Sequence, residues 1–244
     1  MKAIILAAGQ SSRLYPLTKD TPKCLLEVEK NLSIIELQIS LLNNLNISDI
    51  LVVTGFQSKK IKQKLNDKVR FCFYPDFMKT NNLFTLNHIG TELDDDLIIL
   101  FSDVILSREL LKECIFSPDD YNLLIDTNDI SEKTMRVKLE EGSIIDLGSH
   151  IPVSEGDANF IGIAKYSRLG ANNIRKKISE LCKDDMFVED YYTIALTKLA
   201  RTGISINYTL NNNYHYWTEI DFLEDLENVR NNFSKIKHQL FLND

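Results

Sequence analysis

The chain has 244 residues, 44% of them hydrophobic and 26% charged, a balance that excludes both a disordered segment and a bundle of membrane-spanning helices. Its length fits one ordinary domain, or one domain with a small elaboration, that buries its core unaided. A formal net charge of -7 argues against nucleic acid as a partner and leaves room for a local basic site that takes one small anion. Cys24, Cys72, Cys114 and Cys182 are widely separated, with no CxxC pair, and read as reduced thiols. The apolar run Ala3 to Ala8 is too short for an export signal and no run has the length of a membrane span. The expected location is the cytoplasm.

In chain order, short apolar runs alternate with helical patterns through the first half, the signature of a parallel sheet with crossover helices. The first strand is Ala3 to Leu6. Ser33, with Glu36 three residues on, precedes an amphipathic helix carrying Ile34, Leu37, Leu41 and Leu45. A strand follows at Ile50 to Val53, a short helix around Ile61 and Leu65, a strand at Val69 to Phe73 and a helix at Asn82 to Ile89. Leu97 to Phe101 is a wholly apolar strand that ends in Ser102 and Asp103, the position at which open α/β sheets bind ligands. After about Asp120 strands dominate, at Leu123 to Ile125, Met135 to Leu139, Ile144 to Leu147 and Phe160 to Ala164, with a hairpin turn at Gly142. Helical spacing returns around Ile174 to Leu181, from Val188 on, and at Ile194 to Ala200. A strand at Ile204 to Tyr208 and a helix from Leu223 to Phe233 complete the pattern. No linker splits the chain.

The stretch Leu6, Ala7, Ala8, Gly9, Gln10, Ser11, Ser12, Arg13, ahead of Thr21-Pro22-Lys23, runs from a strand into small residues whose backbone N–H groups can approach a phosphate. Arg13 and Lys23 add positive charge. It lacks the GK[ST] ending of a P-loop and the GxGxxG of a dinucleotide site. This opening, LAAG-x-x-S-R followed by Pro-Lys, resembles the signature loop of the nucleotidyltransferases that join a nucleoside monophosphate to a phosphorylated small molecule. Lys79-Thr80-Asn81-Asn82-Leu83 is similar to an element of the phosphocholine and phosphonate cytidylyltransferase branch, and Glu219-Ile220-Asp221-Phe222-Leu223 resembles the acidic element that opens the family's C-terminal helix. Many members carry glycine where Ser11 stands.

The resemblance implies a Rossmann-like nucleotidyltransferase fold: a mostly parallel central sheet with helices on both faces and a mixed β elaboration in the second half. Residues 1–244 form one domain on this reading, with a nucleotide-binding half at 1–120 and an acceptor-binding half plus C-terminal helix at 121–244. Lys23 and Arg13 neutralise the triphosphate; Leu6 to Ser12, Asn81, Asn82 and Ser102 contact the nucleotide, the asparagines offering both donors and acceptors. Asp103 and Asp221, with Glu219 as a third group, are the expected ligands of Mg2+, which prefers oxygen donors. Gly162, Glu189, Tyr191, Tyr192, Tyr216 and Trp217 are the expected acceptor contacts, since aromatic rings and carboxylates suit a cationic head group. Arg136, Lys138 and Lys165 are weaker candidates for the acceptor phosphate.

The expected activity is Mg-dependent transfer of CMP from CTP to a small phosphorylated or phosphonylated acceptor, with release of pyrophosphate. Phosphocholine, 2-aminoethylphosphonate and a phosphorylated amino acid or amide all fit, and the products of such enzymes enter cell-surface polysaccharides or lipid head groups. Alternatives are a sugar-1-phosphate nucleotidyltransferase and a catalytically silent CTP sensor. His88, His150, His215 and His238 form no catalytic pattern. None is required, because a phosphate acceptor arrives ionised, its second pKa lying at roughly 6.

Overall fold

The computed structural model describes residues 1–212 and 215–241. Along the chain run β1 (Lys2–Ala7), β2 (Glu27–Glu29), β3 (Leu32–Ser33), α1 (Ile34–Asn44), β4 (Ile50–Thr54), α2 (Ser58–Leu65), β5 (Arg70–Phe73), α3 (Asn82–His88), β6 (Leu97–Phe101), β7 (Val104–Leu106) and α4 (Arg108–Ile115). Then follow β8 (Tyr121–Asp126), β9 (Met135–Glu140), β10 (Ser143–Gly148), β11 (Ala158–Tyr166), α5 (Arg168–Leu181), α6 (Thr193–Ala200), β12 (Asn207–Leu210), β13 (Trp217–Glu219) and α7 (Leu223–Leu240). Among the described residues no helix is long and apolar enough to cross a membrane. All four cysteines are free thiols.

The residues divide into two compact units, each assembled from separate stretches of chain. One comprises Lys2–Met78, Ile99–Lys112 and the described part of the C-terminal stretch. Its strands follow the order β6-β1-β4-β5, with β1 parallel to β4 and β4 parallel to β5. Every residue of β4 is buried, as is expected of a parallel strand covered on both faces. Helix α1 begins where the sequence says it should: the Ser33 backbone N–H and hydroxyl both donate to Glu36 Oε2, at 3.0 and 2.6 Å. Ile34, Ile35, Leu37, Leu41 and Leu42 are fully buried, each contributing about 1.5–3 kcal/mol. A small antiparallel pair, β7 with β13, sets Glu219 opposite Val104 and Trp217 opposite Leu106.

The other unit comprises Met1, Lys79–Ile98 and the described part of the stretch from Glu113 on. Its strand order is β10-β9-β11-β8-β12, antiparallel except for the β8–β12 pair. The β9–β10 hairpin turns through Glu141 (φ 47°) and Gly142 (φ 78°), two positive φ values in succession, as a tight two-residue turn demands.

Two expected elements shift. The strand anticipated at Ile204 to Tyr208 is Asn207–Leu210, where residues pair in register with β8. The helix anticipated at Ile194 to Ala200 is Thr193–Ala200, and it does not reach back to Val188, because the backbone of 188–192 is bonded to the start of α3 instead. Strands β7 and β13 and helix α4 were not anticipated at all.

Candidate active site

In the first unit, β1 delivers the chain into the loop of Ala8 to Ser12. The Ala8 carbonyl accepts the Phe56 N–H at 3.0 Å, which pins the loop to the residues after β4. Among the described residues Gly9, Gln10 and Ser11 donate no backbone hydrogen bond to the protein. Gly9 is exposed, and a Cβ there would meet nothing within 4 Å, so no neighbour in the protein accounts for a glycine. Ser11 has φ 55° and ψ 55°, the left-handed conformation that glycine adopts most readily. Free N–H groups on a turn of this kind make an anion-binding concavity.

Beside the loop lies a buried charge cluster. Lys23, on the short helical turn Lys23–Leu25, places Nζ 2.7 Å from Asp221 Oδ1 and 2.9 Å from Asp103 Oδ2. An Arg13 guanidinium nitrogen reaches Asp221 Oδ1 at 2.8 Å, and the guanidinium lies 5.7 Å from the centre of the Phe222 ring. Carboxylate oxygens of Asp103, Glu219 and Asp221 all come within 4.8 Å of one another. Asp103 occupies the turn between β6 and β7; Glu219 closes β13; Asp221 precedes α7. The Ile220 N–H donates to the Asp103 carbonyl at 3.0 Å, joining the two strand ends. Asp225 Oδ2 then accepts from the N–H groups of Asp221 and Phe222, at 3.0 and 2.7 Å, which fixes the entry into α7.

Three carboxyls thus face two cations. Burial, and after it the charges of Asp103 and Asp221, push the Glu219 carboxyl well above the usual carboxylate range, with Lys23 and Arg13 pulling the other way. Burial alone would lower the Lys23 ammonium, but Asp103 and Asp221 outweigh it and hold the group above its ordinary value. Asp103 Oδ1 and Asp221 Oδ2 are buried without a hydrogen-bond partner. Orphaned carboxylate oxygens on hard, negatively charged ligands fit a divalent cation such as Mg2+.

A nucleotidyl transferase family profile matches residues 2–112. A CTP:phosphoglutamine cytidylyltransferase of Campylobacter jejuni is 30% identical over 256 residues, spanning 93% of this chain and 98% of the relative. The chain belongs to the nucleotidyltransferase family. Within it the similarity lies in the cytidylyltransferase-like branch: a choline-phosphate cytidylyltransferase of Streptococcus pneumoniae is 37% identical over 102 residues, 41% of this chain and 43% of the relative. Among solved structures, a CTP:phosphocholine cytidylyltransferase from Streptococcus pneumoniae superposes with a TM-score of 0.78 at 21% identity, covering 95% of this chain and 98% of that one.

The other residues that the nucleotidyltransferase resemblance singled out have mixed fates. Ser102 shares the β6–β7 turn with Asp103, and Leu6 and Ala7 end β1. Gln10 donates to the Tyr15 hydroxyl at 2.7 Å, and Ser12 is exposed at the start of the following helical turn. Tyr216 and Trp217 enter β13; burial pushes the Tyr216 phenol up to about 12. All of these belong to the unit that holds the carboxylates.

In the second unit Asn81 and Asn82 perform structural work. Asn81 Oδ1 accepts from the Asn82 N–H at 2.8 Å, capping α3, and its Nδ2 donates to the Glu189 carbonyl at 3.1 Å. Asn82 Oδ1 accepts the Tyr192 N–H at 2.7 Å, and the Asn81 N–H donates to the Val188 carbonyl at 2.9 Å. The pair is a clamp on 188–192. It presents Glu189 and Tyr191 as exposed side chains but turns Tyr192 into the core at 0% exposure, so Tyr192 is a packing residue and not an open acceptor contact.

Gly162 is buried in β11 at φ 83°, where the register to β8 slips between Phe160 and Ala164. The break in register accounts for the glycine without a ligand. Arg136 and Lys165 are likewise corrected. Arg136 donates to the carbonyls of Ile151, Thr134, Glu132, Ser131 and Ser149, and Lys165 to those of Ser117 and Asp119. Both are buried backbone ties with no charge left facing solvent. Lys138 reaches the Glu155 carbonyl and Asp157 at the surface. What the sequence reading missed is Gln38, a buried amide beside the β6–β7 turn.

Proposed function

We propose that the protein is a divalent-cation-dependent cytidylyltransferase that moves CMP from CTP to a small phosphorylated or phosphonylated acceptor, releasing pyrophosphate. The observation that carries the reading is the buried cluster of Asp103, Glu219 and Asp221 around Lys23, with two carboxylate oxygens unsatisfied, beside a loop whose backbone N–H groups point to no protein acceptor. The names of the relatives support CTP as donor and a phosphorylated acceptor.

On this reading Asp103 and Asp221, with Glu219 alongside, would hold Mg2+, which would supply positive charge against the phosphates. The loop from Ala8 to Ser12 binds the phosphates through its N–H groups. Lys23 and Arg13 stabilise charge that develops as pyrophosphate departs, and Lys23, held rigidly by two carboxylates, does so without reorganising. The acceptor's own ionised phosphate or phosphonate is the nucleophile, so the chain supplies no base. For the acceptor, the half-buried Tyr216 and Trp217 are the candidates in the unit that holds the carboxylates, and the exposed Glu189 and Tyr191 are separate candidates in the other unit.

The test is pyrophosphate release with Mg2+, each of the four nucleoside triphosphates, and a panel of phosphocholine, aminoalkylphosphonates, phosphorylated amino acids and amides, and sugar 1-phosphates. Turnover with CTP and one small non-sugar acceptor is the expected result. Turnover with a sugar 1-phosphate and another nucleotide overturns the assignment of both substrates. CTP binding without turnover across the panel leaves a sensor or an acceptor outside the panel.

A further inference from the structure

Helix α1 turns an almost wholly aliphatic face inward, and one amide interrupts it. Gln38 is 1% exposed and lies on the same helix as the fully buried Ile34, Ile35, Leu37, Leu41 and Leu42. Its Nε2 donates to two carbonyl oxygens, those of Phe101 and Val104, each at 2.8 Å. Phe101 is the last residue of β6 and Val104 the first of β7, so the amide grips both ends of the turn that carries Ser102 and Asp103. Gln38 Oε1 is buried and has no hydrogen-bond partner.

Packing alone does not account for a glutamine here. Methionine or leucine would fill similar volume and spare the unpaired Oε1, but would take the donor from the Phe101 and Val104 carbonyls, so the amide serves the turn and not the packing. What glutamine supplies and an aliphatic residue does not is a pair of N–H donors at fixed spacing. We propose that Gln38 is a positioning residue for the cation site: it sets the β6–β7 turn so that the Asp103 carboxylate meets Lys23, Glu219 and Asp221.

The effect reaches beyond Asp103. Its carbonyl accepts the Ile220 N–H at 3.0 Å, and Ile220 lies between Glu219 and Asp221. The turn that Gln38 holds is therefore the anchor for all three carboxylates. Without the amide, the β7–β13 pairing, the Ile220 hydrogen bond and the Lys23 ion pair remain to orient Asp103, but the turn loses a side chain that ties the end of β6 to the start of β7. Residues that orient metal ligands in this indirect way typically change metal affinity or activity by about 10–100-fold when removed.

This inference rests on the proposed reading of the carboxylates as a cation site, and the test separates the two. Mn2+ binding is measured directly by electron paramagnetic resonance, with CTP and without acceptor, on the wild type, Asp103→Asn and Gln38→Met. Steady-state rates and thermal unfolding are recorded on the same samples. The expected result is Asp103-dependent Mn2+ binding in the wild type, weakened by about tenfold in Gln38→Met. Per folded molecule kcat falls by a similar factor while the KM for CTP stays within about twofold.

A lower Tm in Gln38→Met with unchanged Mn2+ affinity and unchanged kcat makes Gln38 a packing residue and overturns the inference alone. A wild type that binds no Mn2+ through Asp103 overturns the cation site and the inference with it. If Gln38→Met does not fold, Gln38→Asn, which keeps the amide but sits one methylene short, is read by the same criteria.

Discussion

The carbonyl oxygen of Ser11 accepts the hydroxyl of Thr18 at 2.7 Å, and Thr18 is wholly buried while Ser11 holds φ 55° and ψ 55°. The backbone of Ser11, more than its side chain, is thus what the loop uses. This explains why a serine serves where many nucleotidyltransferases have glycine. Removing the Cβ relieves roughly 1 kcal/mol of left-handed strain, and the added freedom of the unfolded chain costs a similar amount. Ser11→Gly is therefore expected to leave Tm and the KM for CTP nearly unchanged. Thr18→Val deletes the donor and costs about 1 kcal/mol, with a higher KM for CTP as the loop loosens. Thermal unfolding and steady-state kinetics on both variants check this; Ser11→Gly proving the more damaging would shift the role to the serine hydroxyl.

Lys23 is the sole residue bonded to both Asp103 and Asp221 among the described ion pairs, and its replacement by methionine leaves buried carboxyls opposed by Arg13 alone. Breaking a buried pair from one side costs about 3–5 kcal/mol. The Lys23 ammonium titrates above its unfolded value, so its contribution is present through the acid and neutral range and fades only as pH climbs through the raised value. Lys23→Met should recover part of its lost Tm on addition of Mg2+, because a cation again faces the carboxylates, while turnover stays about 100-fold down or more. Asp221→Asn should lose both turnover and the Mg2+ response. Melting curves with and without Mg2+ decide the point, and a Lys23→Met protein indifferent to Mg2+ would detach the carboxylates from metal binding.

The start of α1 carries a pH dependence of the opposite sign. Burial would raise the Glu36 carboxyl, but the hydroxyl and N–H of Ser33, helped by Lys64 at 3.3 Å, outweigh it and hold Glu36 below its ordinary value. A carboxylate lowered in the folded state stabilises above its unfolded value, and that stabilisation is lost as pH falls through the folded one. Glu36→Ala should therefore cost about 1 kcal/mol at neutral pH, and the gap to the wild type should narrow as the solution is acidified into the carboxylate range. Urea unfolding at a series of pH values measures it. A gap independent of pH would assign the loss to helix propensity and packing alone.

How much of this was legible depends on where each signal lives. Buried parallel strands are continuous apolar runs, so Leu97 to Phe101 and the acidic residue behind it stood out, as did the Ser33 and Glu36 cap. Strands β7 and β13 did not, since three residues carry no periodicity and their pairing joins distant parts of the chain. The link between Asp103 and Asp221 was accordingly legible only as two acids behind apolar segments, which family resemblance strengthened, whereas the geometry rests on the Ile220 to Asp103 hydrogen bond. Gln38 was invisible for a related reason. A single polar residue within an amphipathic helix reads as the edge of its apolar face, and only its two carbonyl partners reveal its use.

Adjacent tyrosines show the same limit and yield the sharpest stability contrast. Residues 189–192 lie outside a helix, so no spacing told Tyr191 from Tyr192, yet Tyr191 is 40% exposed and Tyr192 fully buried. The difference is imposed by Asn82, whose side chain holds the Tyr192 N–H at 2.7 Å. Burial pushes the Tyr192 phenol above its ordinary value, so the ring stays neutral across the working pH range. Tyr192→Ala empties a core position and should cost about 3–5 kcal/mol, lowering the yield of folded protein without a selective effect on either substrate. Tyr191→Ala removes an exposed ring and should change stability by no more than about 0.5 kcal/mol. If Tyr191 contacts a cationic acceptor, its loss raises the acceptor KM by about fivefold, the worth of a ring facing a cation at an exposed site, and leaves the KM for CTP alone. An unchanged acceptor KM in Tyr191→Ala would remove that ring from the acceptor contacts and leave Glu189, Tyr216 and Trp217 to be tested in its place.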